Sequence, residues 1–165
     1  MSTPLDQLKS VDLSHLSKEE AKEFTILLEE LEKREKRESS MASFYDFVKA
    51  IWPEFIAGAH HKKMAEAFDK IASGESKRLI INMPPRHTKS EFASYLFPAS
   101  LLGKRPKLKI IEATHTADLA INFGRRVRDL LESEEYAEIF PATELKADSR
   151  SAGKWNTSQG GQYYA

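Results

Sequence analysis

The stretch from Arg78 to Leu96, RLIINMPPRHTKSEFASYL, decides the fold of this chain. It begins with an apolar, β-branched run that predicts a strand over 78–82, and residues 91–96 predict a helix. A strand, a short loop that ends in Lys89-Ser90, and a helix form the layout of a phosphate-binding loop. In such a loop the N–H groups at the helix start bind a polyanion. The lysine reaches the β and γ phosphates, and the serine hydroxyl binds Mg²⁺.

Two positions of the loop depart from the usual pattern. Met83 and Thr88 stand where the strict pattern has glycine. Glycine is favoured there because the loop needs unusual dihedral angles and close approach to phosphate. Residues 83–90 alone therefore leave two interpretations open: a phosphate-binding loop, or an ordinary turn between a strand and a helix in which Lys-Ser is incidental.

The composition of the chain limits its fold and its cellular context. Its 165 residues allow one ordinary domain or one domain with an extension, and an apolar content of 41% is sufficient for a core. The 25 basic and 25 acidic residues balance, so net charge indicates no partner. The absence of cysteine excludes disulfides and thiolate metal sites and suits a reducing cytosol. Without a long apolar run or a signal-like N-terminus, the sequence predicts a soluble protein that is not secreted.

The N-terminal region predicts one long helix. Residues 1–16 are mixed and turn-like, and Ser17-Lys18-Glu19-Glu20 then forms a capping-box start for a helix over about 17–37. Apolar residues recur at helical spacing as far as Leu31, and residues 29–38 are mostly charged with both signs interleaved. Two interpretations remain open: a solvated amphipathic helix, or a helix that docks on a neighbouring subunit.

The remaining elements alternate between helices and strands. Helices are predicted at 44–56 (interrupted before Pro53), 60–71, 89 to about 102, and 117–133; strands at 78–82 and 108–114; and a hairpin at 154–165. This alternation predicts an α/β fold with a parallel sheet.

One part of a nucleotide-hydrolysing site is missing from the sequence. Such a site also needs an acidic residue at the end of another strand to help hold Mg²⁺, and a group that orients the attacking water. The nearest match after Ser90 is Ile110-Ile111-Glu112, but Glu112 is expected inside the strand as an ordinary strand residue. The sequence therefore looks like the front part of a larger nucleotide hydrolase.

Several motifs occur in an order typical of one family. They are Trp52-Pro53, His60-His61, residues 78–91, residues 110–114, residues 124–128, Ile139-Phe140-Pro141, Trp155-Asn156-Thr157 and Gly160-Gly161. From about Phe44 to Ala165 the chain resembles the N-terminal part of the ATPase domain of the large terminase subunits of tailed bacteriophages. The Pro-Pro-Arg-His-x-Lys-Ser core is distinctive for this family, whose phage members often lack the second glycine.

The resemblance implies a fold and a set of site residues. The fold would be a P-loop NTPase of the ASCE type, α/β with an incomplete parallel sheet, preceded by an N-terminal helical segment. ATP and Mg²⁺ would be the cofactors, with Lys89 as a catalytic residue and Ser90 as the metal ligand. Arg86 matches a catalytic loop arginine that senses or stabilises the γ-phosphate, which suits its fixed charge. The expected nucleotide-binding residues are Pro85, Arg86, His87, Thr88, Lys89, Ser90 and His61.

Two sets of basic residues have open roles. His61 falls where relatives often place a glutamine that recognises adenine, and the alternative is a surface histidine at a helix start. Arg125, Arg126 and Arg128 either contact DNA phosphates or a neighbouring subunit's nucleotide, or form a solvated helix face paired with acidic residues of the same helix.

The resemblance also implies a division of the chain and a set of partners. Residues 1–40 would be a helical extension and residues 41–165 the N-terminal part of the ATPase domain, with the catalytic acidic strand and a nuclease domain following Ala165. The chain is then expected to bind ATP but to hydrolyse it poorly, whereas the whole protein would be an ATPase and endonuclease. Expected partners are double-stranded viral DNA, the portal protein and the small terminase subunit. A pentameric ring, docked on the procapsid in the host bacterial cytoplasm and without membrane association, would be the working form.

Two other functions stay open at this point. The first is a non-catalytic module in which the helical segment 1–73 docks on the portal or the small subunit. The second is a fragment of a helicase-like P-loop protein, although the loop sequence and the C-terminal hairpin fit terminases better.

Overall fold

The structure is a computed structural model that describes residues 4–11 and 15–165, and within them it contains seven α-helices, one π-helix and four strands. The α-helices are α1 (Pro4–Lys9), α2 (Lys18–Ala42), α3 (Phe44–Ile51), α4 (Ala59–Ser73), α5 (Phe97–Lys104), α6 (Ala117–Leu131) and α7 (Glu134–Ile139). The π-helix (Glu91–Leu96) runs directly into α5. The strands are β1 (Lys109–Ile111), β2 (Leu145–Arg150), β3 (Lys154–Thr157) and β4 (Gln162–Tyr164). The protein is therefore mixed α and β, as the sequence predicts.

The four strands form one mixed sheet in the order β1-β4-β3-β2. Only β1 and β4 run parallel, whereas β3 pairs antiparallel with both β4 and β2. The expectation of a parallel sheet was wrong. Residues 151–153 and 158–161 join the last three strands, and connections this short allow only antiparallel pairing. The predicted C-terminal hairpin is confirmed as β3 and β4.

The strand predicted at 78–82 was also wrong. This segment is not helical, and in the described chain it pairs with no strand of the sheet. Ile80 is 85% exposed, while Ile81 packs against the core. A β-branched run favours an extended backbone locally, but a strand also needs a neighbouring backbone to bond with.

The predicted helices are confirmed, with shifted ends. α3 ends before Pro53, as its sequence predicts, and α4 ends at Gly74, whose left-handed φ of 84° closes the helix. β1 occupies three residues of the longer strand predicted there. No pattern in the sequence predicts α7 or β2. No helix in the described part of the chain combines the length and the apolar character needed to cross a bilayer.

The N-terminal helix starts at the predicted capping box. The Ser17 hydroxyl accepts from Glu20 N–H at 3.3 Å, and the Glu20 carboxylate accepts from Ser17 N–H at 2.9 Å. α2 continues to Ala42, further than predicted, and Leu27 on its apolar side is 52% exposed. Residues 4–9, expected to be turn-like, instead form α1. Proline at the first helical position suits this start.

An aromatic cluster joins α3, α4 and the helix after the loop. The Phe44 ring meets Phe68, Phe92 and Phe97 edge-on, with centroid distances of 5.2, 5.6 and 5.5 Å. Phe92 lies two residues after Ser90 and is fully buried. Burying one such side chain contributes about 1.5–3 kcal/mol. This cluster therefore fixes where the helix after the loop begins.

The sheet packs on α6 through one aromatic pair. The rings of Trp155 on β3 and Tyr163 on β4 stack at 4.7 Å with only 4° between their planes. Trp155 Nε1–H donates to the carbonyl of Gly124 on α6 at 3.1 Å. A side chain at Gly124 would come within 3.1 Å of the Tyr163 ring, so glycine lets the helix and sheet approach closely.

The π-helical turn has a cause in the sequence. Pro98 has no N–H, and its ring crowds the carbonyl four residues earlier, which disfavours an α-helical turn at this point. The Phe97 N–H accordingly bonds to the carbonyl of Phe92, five residues back. The helix after the loop is therefore widened where it meets the core.

Replacing Gly103 with alanine should destabilise the fold. A Cβ there would lie 2.3 Å from the buried ring of Phe140, which has little room to shift. Overpacking of this kind costs about 1–3 kcal/mol, more than the gain of up to about 1 kcal/mol from alanine's helix propensity.

Chemical denaturation of Gly103→Ala would measure this loss in the free energy of unfolding. Gly153→Ala is the matched control, because its Cβ would meet Ile121 at an ordinary 3.4 Å. Equal stability of the two variants would contradict the packing described for Phe140.

Candidate functional site

The loop between residues 83 and 90 adopts a glycine-like backbone without glycine. Among the described residues, Arg86 (φ 65°) and Thr88 (φ 57°) are the non-glycine residues with positive φ. Such a conformation costs on the order of 1–3 kcal/mol and is a genuine outlier for a β-branched threonine. Thr88 holds the position where the strict phosphate-loop pattern has its second glycine. The loop therefore has a backbone dihedral of the kind that the missing glycine would favour.

A hydrogen-bonded histidine supports Thr88. His61 Nδ1 accepts from the N–H of Gly58 at 2.9 Å, so the ring proton lies on Nε2, which donates to Thr88 Oγ1 at 2.7 Å. The Thr88 hydroxyl in turn donates to the carbonyl of His87 at 2.7 Å. His61 is 6% exposed, and burial, together with the nearby His60 and His87, lowers the pKa of His61. The neutral ring required by this bonding pattern is therefore the favoured form.

The His61 ring is also held by its packing. Its centroid lies 4.7 Å from that of Phe55 and 5.4 Å from that of Phe92, and the exposed His60 ring lies 3.7 Å away. His61 is thus a buried residue of the first turn of α4, and the expected alternative of a surface histidine was wrong.

The loop encloses an open basic cavity. Residues 83–91 line a cavity of about 540 Å³. This volume lies within the range of small-molecule binding sites. Arg86, Lys89 and Ser90 are exposed, and His87 Nδ1–H donates to the carbonyl of Pro85 at 2.9 Å, which folds the loop on itself. No side chain caps the helix at Ser90, so the first N–H groups of this helix face the loop without a side-chain acceptor. The arrangement suits a polyanion.

A second cavity of similar size is a weaker candidate. It measures about 560 Å³ and lies between α2, α4 and α5. Its Lys104 lies 3.9 Å from the carboxylate of Asp69, and burial lowers the pKa of Lys104. A cation that is already paired and partly desolvated attracts an anion less than the exposed charges of Arg86 and Lys89.

An ion pair fastens the helix after the loop to α6. Arg126 donates from Nη1 and Nη2 to the two carboxylate oxygens of Glu91, at 2.9 and 2.5 Å. Its guanidinium also lies 4.2 Å from the centroid of the Tyr95 ring. The expected pairing within α6 was therefore wrong for Arg126, although it is confirmed for Arg128, which bonds Asp129 at 2.8 Å.

Glu112 lies just beyond the last residue of β1 and not inside the strand. Its N–H donates to the carbonyl of Tyr164 at 2.7 Å. Burial raises the pKa of its carboxyl, and a hydrogen bond with Ser94, on the π-helix, acts in the opposite direction. The structure thus brings one acidic side chain against the helix that follows the loop.

The structure brings most of the predicted site residues together. Residues 85–90 line one cavity, and His61 joins them through Thr88. In the described chain there is no cluster of three or more acidic or histidine side chains that could hold a metal, and a Mg²⁺ role for Ser90 remains a prediction. No pattern in the sequence indicates a role for Gly58 or Glu91, and Arg126 was expected either to contact phosphates or to pair within its own helix. Glu91 directly follows Lys-Ser, but nothing in the sequence indicates a partner 35 residues away.

Comparison with models of protein families, with characterised proteins and with solved structures finds no match to this chain.

Replacing Arg126 with alanine should loosen the helix that carries the loop. The change removes two charge-assisted hydrogen bonds and the contact with Tyr95. Because the pair is partly exposed, solvent screening limits the loss to about 1–2 kcal/mol of unfolding free energy. Thermal or chemical denaturation would measure it.

Arg125→Ala is the matched control, because the Arg125 side chain is exposed on the same helix. Its stability should stay within about 0.5 kcal/mol of wild type. An Arg126→Ala protein as stable as Arg125→Ala would show that the Glu91 pair does not hold the helix.

Proposed function

We propose that this chain binds ATP at the loop 83–90 and forms the nucleotide-binding part of a viral DNA-packaging motor, the large terminase subunit. The observation that carries this proposal is the left-handed backbone of Thr88, directly before Lys89-Ser90 in a basic cavity. An ordinary turn would favour an unstrained residue, because backbone strain destabilises the fold. Thr88 is strained at the position where the phosphate-loop pattern has glycine.

The chemistry of the cavity fits a nucleoside triphosphate bound with Mg²⁺. Lys89 and Arg86 supply two exposed positive charges, and the helix start supplies N–H donors and the positive end of its dipole. The Ser90 hydroxyl is the oxygen that would bind Mg²⁺, and Arg86 would stabilise charge on the γ-phosphate. Bound triphosphate and water would supply the remaining metal ligands, so a site without an acidic cluster is no obstacle to Mg²⁺ binding.

The assignment to a packaging motor rests on the order of the sequence motifs around the loop. In that setting double-stranded viral DNA, the portal protein and the small terminase subunit are the partners, and a ring of chains on the procapsid in the bacterial cytoplasm is the working assembly.

Lys89→Ala should weaken ATP binding. The lysine would give charge-assisted hydrogen bonds to phosphate, worth about 1.5–3 kcal/mol, so its loss raises the Kd for Mg-ATP about 10- to 100-fold. Titration of fluorescently labelled ATP in the presence of Mg²⁺ would measure the two affinities.

Lys33→Ala removes the same charge from an exposed position on α2 and should bind ATP like wild type. Equal ATP affinity in wild type, Lys89→Ala and Lys33→Ala would refute the assignment of the nucleotide to this loop.

A further inference from the structure

Three groups form a hydrogen-bonded chain behind the loop. The Gly58 N–H, just before α4, donates to His61 Nδ1, and His61 Nε2–H donates to the Thr88 hydroxyl, with distances of 2.9 and 2.7 Å. Both ring nitrogens of His61 are therefore occupied, and its side chain is buried between Phe55 and Phe92.

This chain of bonds acts on Thr88, which is the β-branched member of the two loop residues with positive φ. A threonine reaches the left-handed region only against steric crowding from its branched side chain. A donor fixed behind the loop holds the Thr88 hydroxyl and so restricts χ1 and the backbone next to Lys89. The donor itself cannot move away, because α4 is anchored in the core by Met64 and Phe68.

We propose that His61 is a positioning residue for the polyphosphate chain of the ligand: it acts through Thr88 to hold the loop open for phosphate and does not recognise the base. This inference rests on the proposed function and defines how that site selects its ligand. A base edge would have to displace either the Gly58 or the Thr88 bond to reach the ring. Removing the two ring nitrogens therefore weakens binding of every ligand with a triphosphate chain equally.

The test compares three ligands, Mg²⁺ complexes of ATP, GTP and inorganic tripolyphosphate, by isothermal titration calorimetry. His61→Phe keeps a ring between Phe55 and Phe92 but removes both nitrogens, and His60→Phe is the matched control at the exposed neighbouring position. We expect His61→Phe to raise all three Kd values by about the same factor, roughly tenfold, and His60→Phe to leave them unchanged.

A second substitution separates positioning from a merely structural role. Thr88→Gly relieves the backbone strain, because glycine enters the left-handed region freely. It is the reference for the double variant His61→Phe/Thr88→Gly, which should bind the three ligands like Thr88→Gly alone. If His61→Phe does not fold, His61→Ala, with and without Thr88→Gly, replaces it in the same comparison.

Two results would overturn the inference. One is a loss of ATP affinity in His61→Phe with tripolyphosphate binding unchanged, which would make His61 a base contact. The other is a double variant that binds the three ligands more weakly than Thr88→Gly. In both cases wild type still binds and Lys89→Ala still binds more weakly, so the proposed function stands. If wild type binds none of the three ligands, the proposed function itself is wrong, and the inference with it.

Discussion

The left-handed backbone at Thr88 is the constraint on which the shape of the loop depends. Its neighbours hold it from two directions. Behind it, His61 donates to the Thr88 hydroxyl. Ahead of it, the helix that begins with Lys89-Ser90 is tied to α6 by the pair Glu91–Arg126 and anchored in the core by Phe92. Each contact comes from a different helix, so the loop is fixed by tertiary structure and not by the flexibility of glycine.

This arrangement links the core of the protein to the chemistry of the cavity. The Phe44 cluster sets the position of both α4 and the helix after the loop, which carry His61 and Ser90. A change in the packing of these helices would therefore shift the loop as well. A rigid support of this kind suits a phosphate site, because preorganised donors bind a charged ligand without first having to be ordered.

The longer helices and the C-terminal hairpin could be predicted from the sequence, whereas the rest of the sheet and the loop contacts could not. Capping residues such as Ser17 and the position of Pro53 act within a few residues, so α2 and the end of α3 are readable from local pattern. Strand pairing is non-local. Residues 78–82 have a strand-like composition but pair with no strand of the sheet. β2, with the sequence LKADSR, lacks that composition but pairs with β3.

In the loop, too, the local features could be predicted from the sequence and the long-range contacts could not. The residues from Pro85 to Ser90, which line the cavity, are contiguous and could be named from the motif alone. The bonds that hold it join positions 27 and 35 residues apart, and no spacing rule connects them. The histidine singled out as an adenine contact lies at the site, but its hydrogen bonds point to the loop.

A crystal structure of the chain with Mg²⁺ and a non-hydrolysable ATP analogue tests the central claim most directly. The triphosphate should lie in the cavity of residues 83–91, with phosphate oxygens about 3 Å from Lys89 Nζ, Ser90 beside the metal ion and Thr88 still left-handed. A nucleotide bound elsewhere, or a loop in which Thr88 has negative φ and no bond to His61, would contradict it.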